Sequence, residues 1–371
     1  MKNNDFSLDR FRLITSFFVF SLLLLAGAGF GDMAWLKART ATQGQGQFAY
    51  VSNSNSSDIS MYQVNQNTGT LSPIGTVPAG GGPQSIAVTP SGGQFVYVAN
   101  EQTNNVSMYQ VNPQSGTLSP IGTVPAGSQP QAIAVTPNSG RYAYVANQGS
   151  DNVSVYQVNQ NAGTLSPIGT VPAGNQPSAV AVHPSGTFVY VTNQGSDDVS
   201  MFVVDPETGM LTPVGAMPAG NAPSSIAVVP AGNLAVVTNE NGNSLTLFAV
   251  PRRLPILLPL GTVPVNGGPT SVAIDPSGLA VVTMRNLQGK QGIGAIAVFR
   301  ITPMNTLEFI GLTPTGGSGS TAVAINPPGF AYVANENSNN VSMFAIMPSG
   351  LPISLGTVPA GSGPQSVAVA F

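Results

Sequence analysis

Apolar residues in this chain fall in short runs of five to seven, and Gly, Pro, Asn, Gln and Ser fill the gaps between them. The stretch from Gln84 to Pro130 shows the scheme. Its first run, Ser85 to Thr89, closes on Pro90-Ser91-Gly92-Gly93, and its second, Phe95 to Ala99, on a polar segment from Asn100 to Asn105. The third, Val106 to Val111, closes on Asn112-Pro113-Gln114-Ser115-Gly116, and the fourth, Leu118 to Val124, on Pro125-Ala126-Gly127. None is long enough for a helix, and Val, Ile, Tyr and Phe suit a pleated surface bounded by turn residues. The runs are termed A, B, C and D in chain order.

The same text recurs from Gln131, Ser178, Ser224, Thr270 and Thr321, at a spacing of about 46 residues. That period is the one at which four strands make a propeller blade. Runs A and B are almost wholly apolar, which predicts strands covered on both faces. Run D carries Pro120 and ends on Pro125. Proline cannot donate to a ladder, so D belongs on the outer edge and A near the axis. The small Ala87, Ala134, Ala181 and Ala227 of run A fit that crowded position.

Seven A-type runs begin near Ser85, Ala132, Ala179, Ser225, Ser271, Ala322 and Ser366, and seven B-type runs near Phe48, Phe95, Tyr142, Phe188, Leu234, Leu279 and Phe330. The first unit lacks an A strand, and the chain ends on a lone one, Gln365 to Phe371. Pairing the two closes a ring and leaves no open end to protect. The expected fold is therefore all-β: a seven-bladed β-propeller of four-stranded blades over 48–371, closed by the C-terminal strand against the first blade.

The N-terminal segment is different in kind. Lys2, Arg10 and Arg12 precede an apolar run from Leu13 to Gly31, in which Ala26-Gly27-Ala28 offers a small-x-small cleavage site. Residues 1–31 read as a signal peptide or an N-terminal membrane anchor, and 32–47 as a linker. The basic residues before the run keep the N-terminus inside, which predicts an exported propeller, secreted, periplasmic or on the cell surface. The sole Trp, Trp35, lies just beyond the run. The chain has no Cys, so neither a disulfide nor a lipid-attached thiol is available. Net charge is −3 and only 7% of residues are Asp, Glu, Lys or Arg, which argues against nucleic acid as a partner. Nothing calls for a cofactor, and the propeller is expected to be a monomer.

Alternating strand direction places the D-to-A and B-to-C connections on one face, where polar loops converge on the channel mouth. Two rings of residues follow the B runs there. The first is Asn53, Asn100, Asn147, Asn193, Asn239, Met284 and Asn335, and the second is Ser54, Glu101, Gln148, Gln194, Glu240, Arg285 and Glu336. Asparagines at such turns bond their own backbone. The second ring breaks the symmetry by placing Glu240, Arg285 and Glu336 on three consecutive units. Lys290 lies in a loop, Asn286 to Gly294, that makes the sixth unit the longest. A carboxylate–guanidinium cluster at a channel mouth can bind a polar ligand or hold a water for attack. Glu240, Arg285 and Glu336 are the catalytic candidates. Glu101, Asn239, Lys290 and Asn335 are the ligand-binding candidates.

His183, the only histidine, occupies an A-to-B turn on the opposite face, where equivalent units carry Thr89, Thr136, Val229, Asp275 and Asn326. It reads as a turn residue. With one His and no Cys, a His-rich or thiolate zinc site is excluded, and no metal is expected. The Gly149-Ser150-Asp151 and Gly195-Ser196-Asp197-Asp198 loops offer oxygens but lack calcium-loop spacing. Neither a nucleophile elbow nor a phosphate-binding glycine loop occurs.

Tyr97-Val98-Ala99-Asn100, Tyr144-Val145-Ala146-Asn147, Tyr190-Val191-Thr192-Asn193 and Tyr332-Val333-Ala334-Asn335 resemble the YVTN-type propeller repeats. They are also similar to the lactonase-like seven-bladed family, whose enzymes include 6-phosphogluconolactonase. The resemblance covers Phe48 to Phe371 and implies the propeller fold. Lactonases of that family typically carry Gly-Pro-Arg-His entering an A strand and a glutamate after the Asn of a B strand. This chain has that glutamate at Glu101, Glu240 and Glu336. In place of Arg-His it has Pro83-Gln84-Ser85, Pro130-Gln131-Ala132, Pro177-Ser178-Ala179, Pro223-Ser224-Ser225, Pro269-Thr270-Ser271 and Pro364-Gln365-Ser366. The leading expectation is an exported, non-catalytic binding or scaffold propeller that takes a small molecule, glycan or protein on its B-to-C face. The rival is a lactone hydrolase using Glu240, Arg285 and Glu336.

Overall fold

The computed structural model describes residues 47–370 apart from 91, 288, 289, 291 and 328. The signal or anchor, Trp35 and the linker up to residue 46 lie outside the described residues. The rest forms seven four-stranded antiparallel sheets in the expected order. Blade 1 holds β1 (Phe48–Asn53), β2 (Asp58–Val64) and β3 (Leu71–Pro78), and its innermost strand is β28 (Pro364–Ala370). β28 pairs with β1 from Phe48↔Ala370 to Asn53↔Pro364 and closes the ring. Blade 2 runs β4 (Pro83–Val88), β5 (Phe95–Asn100), β6 (Asn105–Val111) and β7 (Leu118–Pro125), from the axis outward. Blades 3, 4, 5, 6 and 7 repeat this plan over 130–172, 177–218, 223–264, 269–314 and 320–359.

All six residues are buried in every B strand, as the unbroken apolar runs require. The A strands differ from expectation: their pattern is half-buried, as in β4. They face the channel, so one side meets no neighbouring blade, and short Ala and Ser side chains limit what is exposed there. The D strands are mostly exposed, and five carry a proline in mid-strand.

Adjacent blades are held by apolar packing and by a few recurring polar contacts. In blades 1 to 3 the C-strand tyrosine donates to the carbonyl that ends the preceding D strand: Tyr62 to Pro359 (2.7 Å), Tyr109 to Pro78 (2.8 Å) and Tyr156 to Pro125 (2.7 Å). Blades 4 to 7 have Phe202, Phe248, Phe299 and Phe344 at this position, so this one contact is made by packing without a hydroxyl donor. In blades 2, 3, 4, 5 and 7 the last residue of the B-to-C turn also anchors the loop leading into the next blade. Asn104 accepts from the Gln129 N–H, Asp151 from Gln176, and Asp197 from Ala222, at 2.7–2.8 Å. These anchors sit at positive φ, which Asn and Asp tolerate well among residues with a Cβ. The Asp151 and Asp197 carboxylates are therefore engaged by backbone donors.

Burial holds the phenols of Tyr62, Tyr156 and Tyr190 up to about 12 and raises those of Tyr50, Tyr97, Tyr109 and Tyr144 as well, against an ordinary value of 10.0. Above pH 10 the unfolded chain releases protons that the folded chain keeps. Stability is then fully present below pH 10 and is lost as pH rises toward 12 and beyond. Thermal melts across this range will show a melting temperature that falls ever more steeply above pH 10; a flat profile would contradict the buried tyrosine rings.

Candidate functional site

The B-to-C and D-to-A connections share one face, as the backbone shows: the Glu101 N–H donates to Gly82 and the Arg285 N–H to Gly268, both at 2.9 Å. The first ring on this face is structural. Asn100 Nδ2 donates to Asn105 Oδ1 (2.8 Å) and Ser107 Oγ (2.9 Å). Asn193 does the same with Asp198 (2.6 Å) and Ser200 (2.9 Å). Asn239 and Asn335, expected at the ligand, are instead fully buried. Asn239 is bound to Ser244, Thr246 and the Gly220 N–H, and Asn335 to Asn340, Ser342 and Ser320.

Blade 6 breaks the first ring as a set. Met284 replaces the asparagine, and Ala295 and Ala297 replace its two acceptors. Removing donor and acceptors together leaves no orphaned buried amide, which is why the exchange is tolerated.

The second ring brings three of the expected residues together. Arg285 Nε donates to Glu240 Oε1 at 2.7 Å, and its Nη1 lies 3.6 Å from Glu336 Oε2. One guanidinium thus spans blades 5, 6 and 7 at the channel mouth. The three side chains are 24–39% exposed, so they are open to a ligand while held by one another. The Glu336 contact is the looser. The other candidates stand apart. Glu101 is across the ring on blade 2, where its Oε2 accepts from Gln84 Nε2 at 2.6 Å. Lys290 is exposed in the blade 6 loop and forms no ion pair among the described residues.

A second asymmetry surrounds the cluster, at the position after the proline that starts each A strand. Blades 1, 2 and 3 carry Gln365, Gln84 and Gln131, which reach Ser54, Glu101 and Gln148 of their own B-to-C turns. Blades 4 to 7 carry the short Ser178, Ser224, Thr270 and Thr321. Each donates to the next blade's backbone, at Pro223 (2.7 Å), Pro269 (3.0 Å), Ser320 (2.9 Å) and Pro364 (3.2 Å). Long amides therefore line one side of the mouth and small hydroxyls the other, and the charged bridge lies on the side with small residues. Sequence reasoning noted these positions only for the missing Arg-His. Their change from Gln to Ser or Thr was the available signal.

His183 is buried in its turn, with Nδ1 2.6 Å from Ser185 Oγ and Nε2 2.8 Å from the Gly232 carbonyl. It is a structural residue on the opposite face.

Fold and site together define a seven-bladed propeller whose channel-mouth face carries one arginine bridging two carboxylates. A model of the lactonase, 7-bladed beta-propeller family matches residues 36–135 and 122–227, together more than half of the sequence. The chain belongs to that family. No curated protein matches the sequence. Among solved structures, one from Bacteroides fragilis, assigned as a candidate 6-phosphogluconolactonase, is 19% identical and superposes with a TM-score of 0.79, covering 90% of this chain and 100% of its own. A similar candidate from Bacteroides uniformis is 22% identical with a TM-score of 0.78, covering 88% of this chain and 100% of its own. The periplasmic gluconolactonase PpgL of Pseudomonas aeruginosa is 21% identical with a TM-score of 0.77, covering 88% of this chain and 99% of its own. At such identities the likeness carries the fold.

The blade 6 exchange gives a direct test of the structural role of the asparagines. Met284→Asn alone will bury an amide beside Ala295 and Ala297 and cost about 1–3 kcal/mol. Adding Ala295→Asn and Ala297→Ser will restore most of that loss in urea unfolding. Equal stability of the single and triple variants would refute the role.

Proposed function

We propose that the protein is a lactone hydrolase whose reaction centre is the Glu240–Arg285–Glu336 bridge, acting on an uncharged, polyhydroxylated lactone. The observation that carries this reading is the bridge itself, a guanidinium between two half-exposed carboxylates on the side of the mouth with small residues. Family membership supports a lactone as the ligand.

Each residue has a role that its geometry allows. Arg285 has five N–H donors, and only the Nε–H is hydrogen-bonded among the described residues. The remainder can receive the lactone carbonyl and the negative charge that grows on its oxygen. Glu240, at 2.7 Å, fixes the guanidinium. Glu336, at 3.6 Å, is free to accept a proton from water as that water attacks the carbonyl carbon. The tetrahedral adduct then collapses, the ring C–O bond breaks, the departing alkoxide takes the proton back, and a hydroxy acid leaves. A phosphorylated substrate suits this site poorly, because two carboxylates already flank the one cation.

Purified protein will turn over unphosphorylated sugar lactones faster than 6-phosphogluconolactone, after correction for spontaneous hydrolysis. Arg285→Ala and Glu336→Gln will each lower turnover about 10²–10³-fold. The melting temperature will change little, because exposed ion pairs contribute less than about 1 kcal/mol. Wild-type rates in either variant would remove the bridge from the reaction.

A second reading, a non-catalytic binding or scaffold propeller, rests on the absent Arg-His: the residues in its place are engaged in the hydrogen bonds described above. Under it the same rim binds a polar ligand without turnover. In either case we propose that the chain works outside the cytoplasm, on the strength of Lys2, Arg10 and Arg12 before the Leu13–Gly31 run and the weakly charged surface. Fractionation of cells producing the full chain will find it beyond the inner membrane or anchored to its outer side; recovery in the cytoplasm would contradict export.

A further inference from the structure

The outer rim of blades 5 and 6 departs from the rest of the propeller in three independent ways. The first is an open strand edge. The outer strands of blades 1 to 5 carry Pro73, Pro120, Pro167, Pro213 and Pro259 at one register position, and that of blade 7 begins with Pro352. Because proline keeps its pairing there, the backbone nitrogen at this position faces away from the sheet. The outer strand of blade 6, β23 (Leu307–Pro314), has Phe309 instead and no proline before its last residue. It presents an N–H donor where blades 1 to 5 present none; blade 7 has Ser354 at this register but keeps Pro352 two residues earlier, and prolines on edges are a usual guard against strand addition.

The second is a cleft beside that edge. An apolar cavity of about 220 Å³ lies between blades 5 and 6. Val263, Val265, Met284, Phe299, Leu307 and Phe309 line it. It opens beside the Pro264 carbonyl, where blades 1 to 3 would place a tyrosine and blade 6 places Phe299. Phe309 stands edge-on to Phe299, with ring centres 5.5 Å apart, and is 58% exposed at the cleft.

The third is the local surface. Of nine large apolar side chains exposed among the described residues, six are Leu254, Leu258, Leu260, Ile293, Met304 and Phe309. Blades 5 and 6 also hold five Lys or Arg against three Asp or Glu, whereas the rest of the propeller holds one Arg against eight acidic residues. Arg252 and Arg253 lie in the C-to-D turn of blade 5, on the face where β23 begins, and Lys290 lies at the opposite end of blade 6. A basic, apolar sector on an acidic molecule selects an acidic, apolar partner.

We propose that β23 is a docking edge for an extended acidic peptide, which adds as a fifth strand to blade 6 and seats a large apolar side chain in the cleft beside Phe309. Main-chain hydrogen bonds hold the peptide, the cleft reads one side chain, and the arginines read its carboxylates.

The test is a display library of random peptides of about eight residues, near the length of the strand, selected on the full-length protein. Selected peptides will combine Asp or Glu with alternating large apolar residues. Phe309→Pro restores the residue that five other blades carry, so it will keep the wild-type melting temperature yet bind these peptides about tenfold more weakly or worse. Phe309→Ala keeps the N–H but removes the cleft wall, and will lose affinity by a smaller factor. Charge reversal at Arg252 and Arg253 will weaken binding and flatten its salt dependence. The proposal is overturned by a library that yields no binders, by basic peptides, or by peptides that bind Phe309→Pro and wild type alike. It is also overturned if the sector binds vesicles containing phosphatidylglycerol and no peptide. Lactone turnover by Phe309→Pro separates this site from the channel-mouth site, since the two lie on different parts of blade 6.

Discussion

Ring closure is the constraint on which everything else depends. Each blade buries both faces of its B strand, so a blade with an unpartnered side would expose a row of Val, Tyr and Phe. The chain solves this by lending its last strand, β28, to its first blade. That pairing couples residues more than three hundred positions apart and makes the seven blades one cooperative body. The channel-mouth site inherits this property. Glu240, Arg285 and Glu336 come from three blades, and their separations are set by inter-blade packing and not by any local turn.

Near-identical blades make departures easy to interpret, and most of them converge on blade 6. It exchanges an Asn with its two acceptors for Met284, Ala295 and Ala297, supplies the only guanidinium of the second ring, and loses the guarding proline of its outer strand. The first exchange shows how a repeat can drift safely: a buried polar set is tolerated whole or removed whole, while one left half-satisfied is costly. The other two alter the outward-facing chemistry and leave the blade core intact. The two proposed sites thus lie at the mouth and at the rim, where strands end or lack a partner.

Much of this was legible in the sequence. The period, the strand order and the closure by Gln365 to Phe371 followed from four apolar runs per unit and one orphan run at the end. The grouping of Glu240, Arg285 and Glu336 followed from counting one residue past each B strand. Other features were hidden because they depend on contacts that only the folded chain makes. Asn239 and Asn335 looked like rim residues, but acceptors five and seven positions later draw their amides inward. Lys290 was a ligand-binding candidate from its place in the long blade 6 loop, yet it pairs with no carboxylate among the described residues. The half-exposure of the A strands reflects the channel, which composition does not encode. The cleft arises from Phe299 meeting the end of the blade 5 outer strand, a contact visible only in three dimensions.

The central claim is that the symmetry-breaking bridge at Arg285 is the functional site of this propeller. A crystal structure of the protein soaked with gluconate, the hydroxy acid released from an unphosphorylated sugar lactone, tests it most directly. The account predicts the ligand at the channel mouth, with its carboxylate on Arg285 and its hydroxyls among Glu240, Glu336 and the Ser and Thr residues of blades 5 to 7. An empty mouth at saturating ligand, or gluconate bound on another face, would contradict it.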